Sequence, residues 1–502
     1  MRNILPTRTT ESTAHRELRL VKRYLTYIDG RQVNPSSMEW FETVNPYTQR
    51  PWALIPRCDE RDVDIAISAA HRAFRESGWP QMSPSKRGAI LRRIGDVLAE
   101  NADRLAEVET CENGKSITDT TAQIRGLPEW FYYYGGLIDK IEGHVIPIDQ
   151  DQIFNFTRYE PLGVVTAITP WNSPLMLAVW KLAPLLAAGN TVVIKPSNHA
   201  SASIVEFMDV FDEAGIPPGV VNLVTGYSGD IGLALVEDPR VAKVSFTGST
   251  EAGRTIGQQA ALGCKRVALE LGGKSAQIVC EDASIENSVR GVASGIFLLN
   301  GQSCVAGSRL LIHESIHDEF LNRLIAEIGE LRFGDPTDSA TQIGPISNES
   351  QYNKILEYIE IGKSEGANCL YGGTRSTRDG CETGWFVEPT IFTDVQPGMR
   401  IAREEIFGPV LSVMPFSTDD EAIRIANDID FGLAAGVWTS NLGRAHRISN
   451  RLECGTVYVN QYKNVSVMSP AGGYKASGIG RENGAEMIKE YLQVKSVWIN
   501  TA

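Results

Sequence analysis

Cys304 lies in Gln302-Ser303-Cys304-Val305-Ala306-Gly307-Ser308-Arg309, a turn-forming stretch of small residues between a helix-like run and the apolar strand Leu310-Leu311-Ile312. A thiol at such a break can face a cleft, and a thiolate is the strongest nucleophile among the side chains. A lone cysteine is more commonly a small buried hydrophobe, so the assignment rests on its partners. In Leu269-Glu270-Leu271-Gly272-Gly273-Lys274 a carboxylate ends the strand-like run Val267-Ala268-Leu269. The two glycines after it allow close backbone approach and let the carboxylate move. In Thr169-Pro170-Trp171-Asn172-Ser173-Pro174 the Asn172 amide can donate to a developing oxyanion. Nucleophile, base and oxyanion donor all fall at strand or helix ends.

The elements that must position them alternate regularly. Apolar, β-branched runs at 164–168, 191–195, 220–224, 244–246 and 267–270, several separated by helix-like segments, predict a doubly wound parallel sheet. Such sheets bind ligands at the carboxyl ends of their strands, where these motifs sit. No G-x-G-x-x-G fingerprint is present. Gly248-Ser249 instead opens a helix after 244–246, which reads equally as a phosphate-holding helix N-terminus or an ordinary strand–turn–helix. A second α/β unit follows Glu270, with a helix near 318–331 and strands near 408–416, 436–439 and 455–460. Upstream, 59–74 reads as an amphipathic helix, and Ser83-Pro84 as the start of another. The runs 143–159 and 493–499 read as exposed strands, and edges of that kind invite pairing between subunits.

The 502 residues are enough for about three domains, with ordinary globular proportions of 42% hydrophobic and 22% charged residues. A net charge of −13 and the lack of a basic stripe argue against a nucleic-acid partner. The eight cysteines are scattered without a C-x-x-C pair, which suggests neither a disulfide framework nor a zinc cluster and points to a reducing, cytoplasmic compartment. The longest apolar run, 174–189, holds Lys181 and Pro184 and is too short to span a membrane. Residues 1–24 lack the apolar segment of a secretory signal and read as an N-terminal arm. His313-Glu314-Ser315-Ile316-His317 matches a zinc motif that requires a helix. Here a strand runs into His313 and the helix begins only near His317, so no metal site is expected.

Taken in order, Pro170-Trp171-Asn172, the run 246–253, Glu270 to Lys274, Gly301 to Cys304, Glu405-Ile406-Phe407-Gly408-Pro409 and Gly472-Gly473-Tyr474-Lys475 resemble the aldehyde dehydrogenase superfamily, from about Tyr27 to Val497. The resemblance implies a Rossmann-like cofactor domain (25–141 and 162–272), a catalytic domain (273–476) and a small β oligomerisation element (142–161 and 477–502) of a homodimer or homotetramer. It also implies that an aldehyde is oxidised to its acid through a Cys304 thiohemiacetal, that Asn172 and the Cys304 N–H hold the alkoxide, and that Glu270 activates the hydrolytic water. Lys181 and Glu482 match a proton relay behind the base, and read equally as a supporting ion pair.

For NAD or NADP the resemblance selects Ile168, Thr169, Pro170, Trp171, Lys195, Ser197, Asn198 and Gly229. It adds Phe246, Gly248, Ser249, Leu271, Gln351, Lys354, Glu405 and Phe407, and tips Gly248-Ser249 to pyrophosphate binding. Asn198 departs from the glutamate many members carry there, which opens the site to NADP. A coenzyme-A-acylating enzyme would not need Glu270, and a non-catalytic nucleotide binder would not need Asn172, Glu270 and Cys304 together. The pocket positions fall on Ser173, Leu177, Trp180, Leu298, Ser303, Val465 and Ala471, with Val305 beside them. Only Trp180 among these keeps a ring, so a wide pocket for a bulky aldehyde is expected. Lys463 near its mouth reads as an attractor of an acid-bearing aldehyde or as a solvated loop lysine.

Overall fold

The computed structural model describes residues 22–502, so most of the expected N-terminal arm lies outside the described residues. The first sheet runs in the order Gly478–Ile479, Arg266–Glu270, Val241–Thr247, Val164–Ile168, Thr191–Lys195, Val221–Leu223, Thr26–Ile28, Arg31–Val33. Its five central strands are parallel, and both edges are closed by antiparallel strands. Val164–Ile168 and Thr191–Lys195 are buried along their whole length. Helices on both faces of a parallel sheet require that, and it explains their continuous apolar runs. The register pairs Ile168 with Lys195 and with Phe246, and Thr247 with Glu270, so the carboxyl ends stand level along one edge.

The second sheet has seven strands, in the order Asn368–Tyr371, Thr390–Thr393, Val410–Phe416, Arg309–His313, Ala276–Val279, Ala434–Trp438, Thr456–Val459. All its pairings are parallel except that of Asn368–Tyr371 with Thr390–Thr393. The expected mixed α/β class with two sheets is the class found.

Ile153–Pro161 and Leu492–Asn500 form an antiparallel ribbon. The expected strand over 143–159 is shorter, starting at Ile153, with Val145 only bridging to Phe156. Gly478–Ile479 does not join the ribbon but pairs with Leu269 and Glu270 on the first sheet. A separate three-stranded sheet of Lys22–Arg23, Arg50–Pro56 and Trp40–Asn45 had no counterpart in the sequence reading. The strand Arg309–His313 passes through the 3-10 turn Glu314–Ile316 into a helix starting at His317, so the two histidines share no helical face. Among the described residues no helix is long and apolar enough to cross a membrane.

Candidate active site

The cysteine loop is held by hydrogen bonds that leave its thiol at a cavity wall. Asn172 Nδ2 donates to the Gln302 carbonyl (3.0 Å), and the Tyr462 hydroxyl donates to the Val305 carbonyl (2.9 Å). Gln302 Oε1 accepts from the Ser347 N–H (3.0 Å). Gly301 has φ +64°, and a Cβ there would lie 2.1 Å from the Gly408 carbonyl oxygen. Cys304 is half-buried. Burial, the Glu405 carboxylate and the Glu270 carboxylate together push its thiol up to about 12.

Two cavities meet there. One, of about 140 Å³, is lined by Pro170, Trp171, Gly248, Ser249, Leu271, Gln351, Lys354, Glu405 and Phe407. The other, of about 240 Å³, is lined by Ser173, Trp180, Glu270, Ser303, Val305, Lys463, Val465 and Ala471. Only Asn172, Leu177 and Cys304 line both. The structure thus brings the sequence-selected residues into two separate groups with the thiol and the amide between them.

On the first side Gly272 and Gly273 sit under heavy crowding. A Cβ on Gly272 would lie 2.3 Å from Glu405 Oε2, and one on Gly273 2.5 Å from the Cys304 carbonyl oxygen. Glu405 Oε1 accepts from the Gly273 N–H at 2.9 Å, and burial raises its carboxyl above the usual range. Phe407 adopts φ +60°, a conformation costly for a bulky residue. Gln351 Nε2 supports it by donating to the Ile406 (2.8 Å) and Phe407 (3.0 Å) carbonyls, and Trp171 packs edge-on against its ring. Ser249 caps the helix Thr250–Leu262, its side chain accepting from the Ala252 N–H.

On the second side the Glu270 carboxylate rests against Gly472, where a Cβ would lie 2.7 Å from Oε1. Oε1 has no hydrogen-bond partner among the described residues. Burial, then the Glu482 charge, hold this carboxyl well above the usual carboxylate range, against the opposing pull of Lys181 and Arg481. Lys181 and Glu482 form a fully buried ion pair, and Lys181 Nζ also donates to Thr247 Oγ1 (2.7 Å). Glu482 and Ala471 exchange backbone hydrogen bonds of 2.7 and 2.6 Å, which fixes Gly472 beneath the Glu270 carboxylate.

Other selected residues lie off these walls. Ile168, Thr169, Lys195 and Phe246 follow the carboxyl edge of the first sheet without lining the cavity, and Ser197 and Asn198 stand half-buried in the loop beyond it. Lys195 is buried, donates to the Pro196 carbonyl (3.1 Å), and is pulled down to about 8 by desolvation. Gly229 is exposed in the first turn of the helix Ser228–Glu237, outside the cavity lining.

Three expectations change. Leu299, not Leu298, lines the second cavity, because Leu299 and Asn300 adopt left-handed φ values of 60° and 54° and turn the chain over. The wide-pocket expectation is narrowed, since Tyr458, outside the positions the sequence selected, adds a second ring to the wall beside Trp180. Lys463 is not a solvated loop lysine. It is half-buried at φ +62°, donates to the Ser294 carbonyl (3.3 Å) near the end of the helix Ile285–Ile296, and burial pulls it down to about 8. Gln123, Met176, Thr456 and Asn483 complete a wall the sequence reading missed. They come from four segments without a shared motif, and only the half-buried strand Thr456–Val459 carried any periodic signal.

A doubly wound sheet and a second, mostly parallel sheet place the molecule among the mixed α/β proteins. The aldehyde dehydrogenase family profile matches residues 33–497, and the chain belongs to that family. An aldehyde dehydrogenase of Aspergillus niger is 44% identical over 472 residues, covering 94% of each chain. A hydroxyisobutyraldehyde dehydrogenase of Mycolicibacterium austroafricanum is 43% identical over 476 residues, covering 95% of this chain and 94% of that one. The NAD+ complex of an aldehyde dehydrogenase from Bacillus cereus superposes with a TM-score of 0.93 at 40% identity, covering 98% of this chain and 99% of that one. The protein is accordingly an NAD(P)-dependent aldehyde dehydrogenase that oxidises an aldehyde to its carboxylic acid.

Proposed function

We propose that Cys304 is the nucleophile of this oxidation, with the aldehyde in the larger cavity and NAD(P) in the smaller one. The observation that carries the reading is that Cys304 and Asn172 stand on the wall common to both cavities. The smaller cavity suits a dinucleotide. A 13-residue helix opens onto it behind Ser249, the buried Thr250 hydroxyl beside that cap has no protein partner, and Gly272 leaves the close space a Cβ would fill. Gly248, Ser249, Leu271 and Trp171 would hold the pyrophosphate end. Glu405, Gln351, Lys354 and Phe407 would hold the nicotinamide riboside, and Lys195 with Ser197 and Asn198 the adenosine ribose. NAD(P), when bound, accepts the hydride from the carbon attached to Cys304.

Cys304 Sγ attacks the aldehyde carbon. With the thiol held high by burial and two carboxylates, its proton passes to water in the cavity as the C–S bond forms. One N–H of Asn172 is committed to the Gln302 carbonyl, and the other, with the Cys304 N–H, holds the alkoxide. Glu270, raised by burial, then takes a proton from water as the thioester is hydrolysed, and the Lys181–Glu482 pair passes that proton on or fixes the base. Asn198 places no negative charge on the ribose side, which supports use of both NAD and NADP. The cavity volume supports a bulky aldehyde, and Lys463 supports an acid-bearing one. The ribbon Ile153–Pro161/Leu492–Asn500 leaves Phe154, Val494, Trp498 and Ile499 exposed, which supports a dimer or tetramer. Eight free cysteines support a reducing, cytoplasmic setting.

The test follows reduced-cofactor absorbance with a panel of aldehydes, each with NAD and with NADP. Cys304→Ser is expected to remove turnover while the cofactor still binds by fluorescence titration. Aldehyde oxidation by the serine variant would unseat Cys304, and an NAD preference of about a thousandfold would unseat the reading of Asn198.

A further inference from the structure

Behind the turn that carries Asn172 lies a buried ion pair that the reaction steps above do not use. Glu109 is fully buried and Lys115 nearly so, and Lys115 Nζ donates to Glu109 Oε1 at 2.7 Å. Glu109 lies near the end of the helix Pro84–Asn113, and Lys115 follows Gly114, which turns the chain at φ +78°. Burying two charges adds little to stability by itself, because desolvation offsets the attraction. What the pair holds is therefore informative.

It holds the first turn of the next helix. Pro174–Ala187 opens with a proline, which has no N–H, so Leu175 carries the first free donor of that helix. Ser173 stands at the N-cap, but its side chain does not cap the helix. Glu109 Oε2 fills that role from a different helix and accepts from the Leu175 N–H at 3.2 Å, where a negative charge also suits the helix dipole. The Ser173 hydroxyl is gripped instead by Lys115 Nζ at 3.4 Å, and Asn113 Nδ2 reaches the Asn172 carbonyl at 3.5 Å. Contacts from 109–115 thus fall on Asn172 and on the residues just after it. Lys115 Nζ also donates to Gln123 Oε1 (2.6 Å), a wall residue of the substrate cavity.

We propose that Glu109 and Lys115 are positioning residues for the oxyanion donor, fixing where the Asn172 amide stands between the two cavities. Neither residue lines either cavity, so they act only through the turn they hold. The proposal rests on the reading of Asn172 as that donor.

The experiment is a double-mutant cycle on the full-length enzyme, read as kcat/KM for hexanal at saturating NAD(P). Glu109→Gln and Lys115→Met together remove both charges, so neither is left buried and unpaired. A misplaced group costs roughly a hundredfold per 1 Å, so kcat/KM is expected to fall by about ten- to a hundredfold. The dissociation constant of NAD(P), followed by fluorescence titration, is expected to stay unchanged. Asn172→Ala alone is expected to cost roughly 10²–10³. Because the pair acts through Asn172, adding the pair variant to Asn172→Ala should cost less than about twofold more. The same fractional loss in both backgrounds would mark the pair as merely structural and overturn the positioning role. So would a pair variant within about twofold of the unaltered enzyme. Undiminished activity in Asn172→Ala would overturn the reading of Asn172 and the positioning role together. Glu109→Gln alone keeps an acceptor for the Leu175 N–H and replaces the double variant should that one not fold. Its loss is expected to be smaller and is judged by the same non-additivity.

Discussion

On the cofactor side of Cys304 the wall is set by backbone. A Cβ on Gly272 would lie 2.3 Å from Glu405 and one on Gly273 2.5 Å from the Cys304 carbonyl oxygen, and Gln351 spends its amide holding the strained turn at Phe407. On the substrate side the wall is set by side chains drawn from separate helices, loops and a strand, with Gly472 beneath Glu270 as the one tight backbone approach. The first arrangement leaves little room for an added atom, since at Gly273 it would meet fixed backbone and at Gly272 it would have to push the Glu405 carboxylate aside. The second can exchange side chains and alter what it accepts without disturbing the thiol. Chemistry and selectivity are thus carried by different kinds of structure, and each side can be perturbed alone.

The largest effect is expected from Glu270→Gln, which removes the base while keeping its shape. Turnover should fall by about 10²–10⁴-fold, the usual contribution of a positioned acid or base. Stopped-flow absorbance should still record a burst of reduced cofactor, because hydride transfer precedes hydrolysis. Loss of the burst without trapped acyl-enzyme would move Glu270 to an earlier step.

Gly272→Ala should come next. The methyl group must displace Glu405, and misplacement of a positioning group by about 1 Å costs roughly a hundredfold. The loss should appear in kcat/KM for NAD(P), with the ranking of aldehydes unchanged. A reshuffled ranking would show that the two walls are not separable.

Lys463→Ala should act last and least. A partly exposed ion pair at the cavity contributes about 1 kcal/mol, so KM for acid-bearing aldehydes should rise several-fold while neutral ones of equal size hold steady. The sign with pH is fixed. Desolvation pulls Lys463 down to about 8, so its cation, and the preference for acid-bearing aldehydes, is present below that pH and lost above it. A preference that persists unchanged to high pH, or equal effects on both aldehyde types, would leave Lys463 as only a cap on the Ser294 carbonyl.

This difference in construction also decided what the sequence disclosed. Val164–Ile168 and Thr191–Lys195 were legible to the residue because strands buried on both faces must be apolar throughout. Gly272, Cys304 and Asn172 stood out as candidates because glycines and breaks at strand ends mark them in the chain, whereas Glu405 was reached only through the family resemblance. Tyr458, Asn483 and Gln123 were not, since nothing local distinguishes a side chain that meets a cavity from one that meets solvent. Leu298 and Leu299 exchanged places because a left-handed pair of residues, invisible in composition, rotates the chain there. The strands at 22–23 and 40–45 escaped notice for other reasons: the first is two charged residues long, and in the second the polar pair Glu42-Thr43 breaks up the apolar signal.

Gly478–Ile479 reaches back across the molecule to pair with Leu269 and Glu270, and Glu482 fastens Ala471 while meeting Lys181. The strand and the ion pair that steady this carboxylate thus come from a stretch of chain far removed from Glu270 itself, on the other side of the cysteine loop. A protease that nicks the segment ahead of residue 478 would loosen that attachment while leaving the cysteine loop intact. On the proposed reading of Glu270, hydrolysis of the thioester, more than aldehyde capture, would then report whether this attachment is in place.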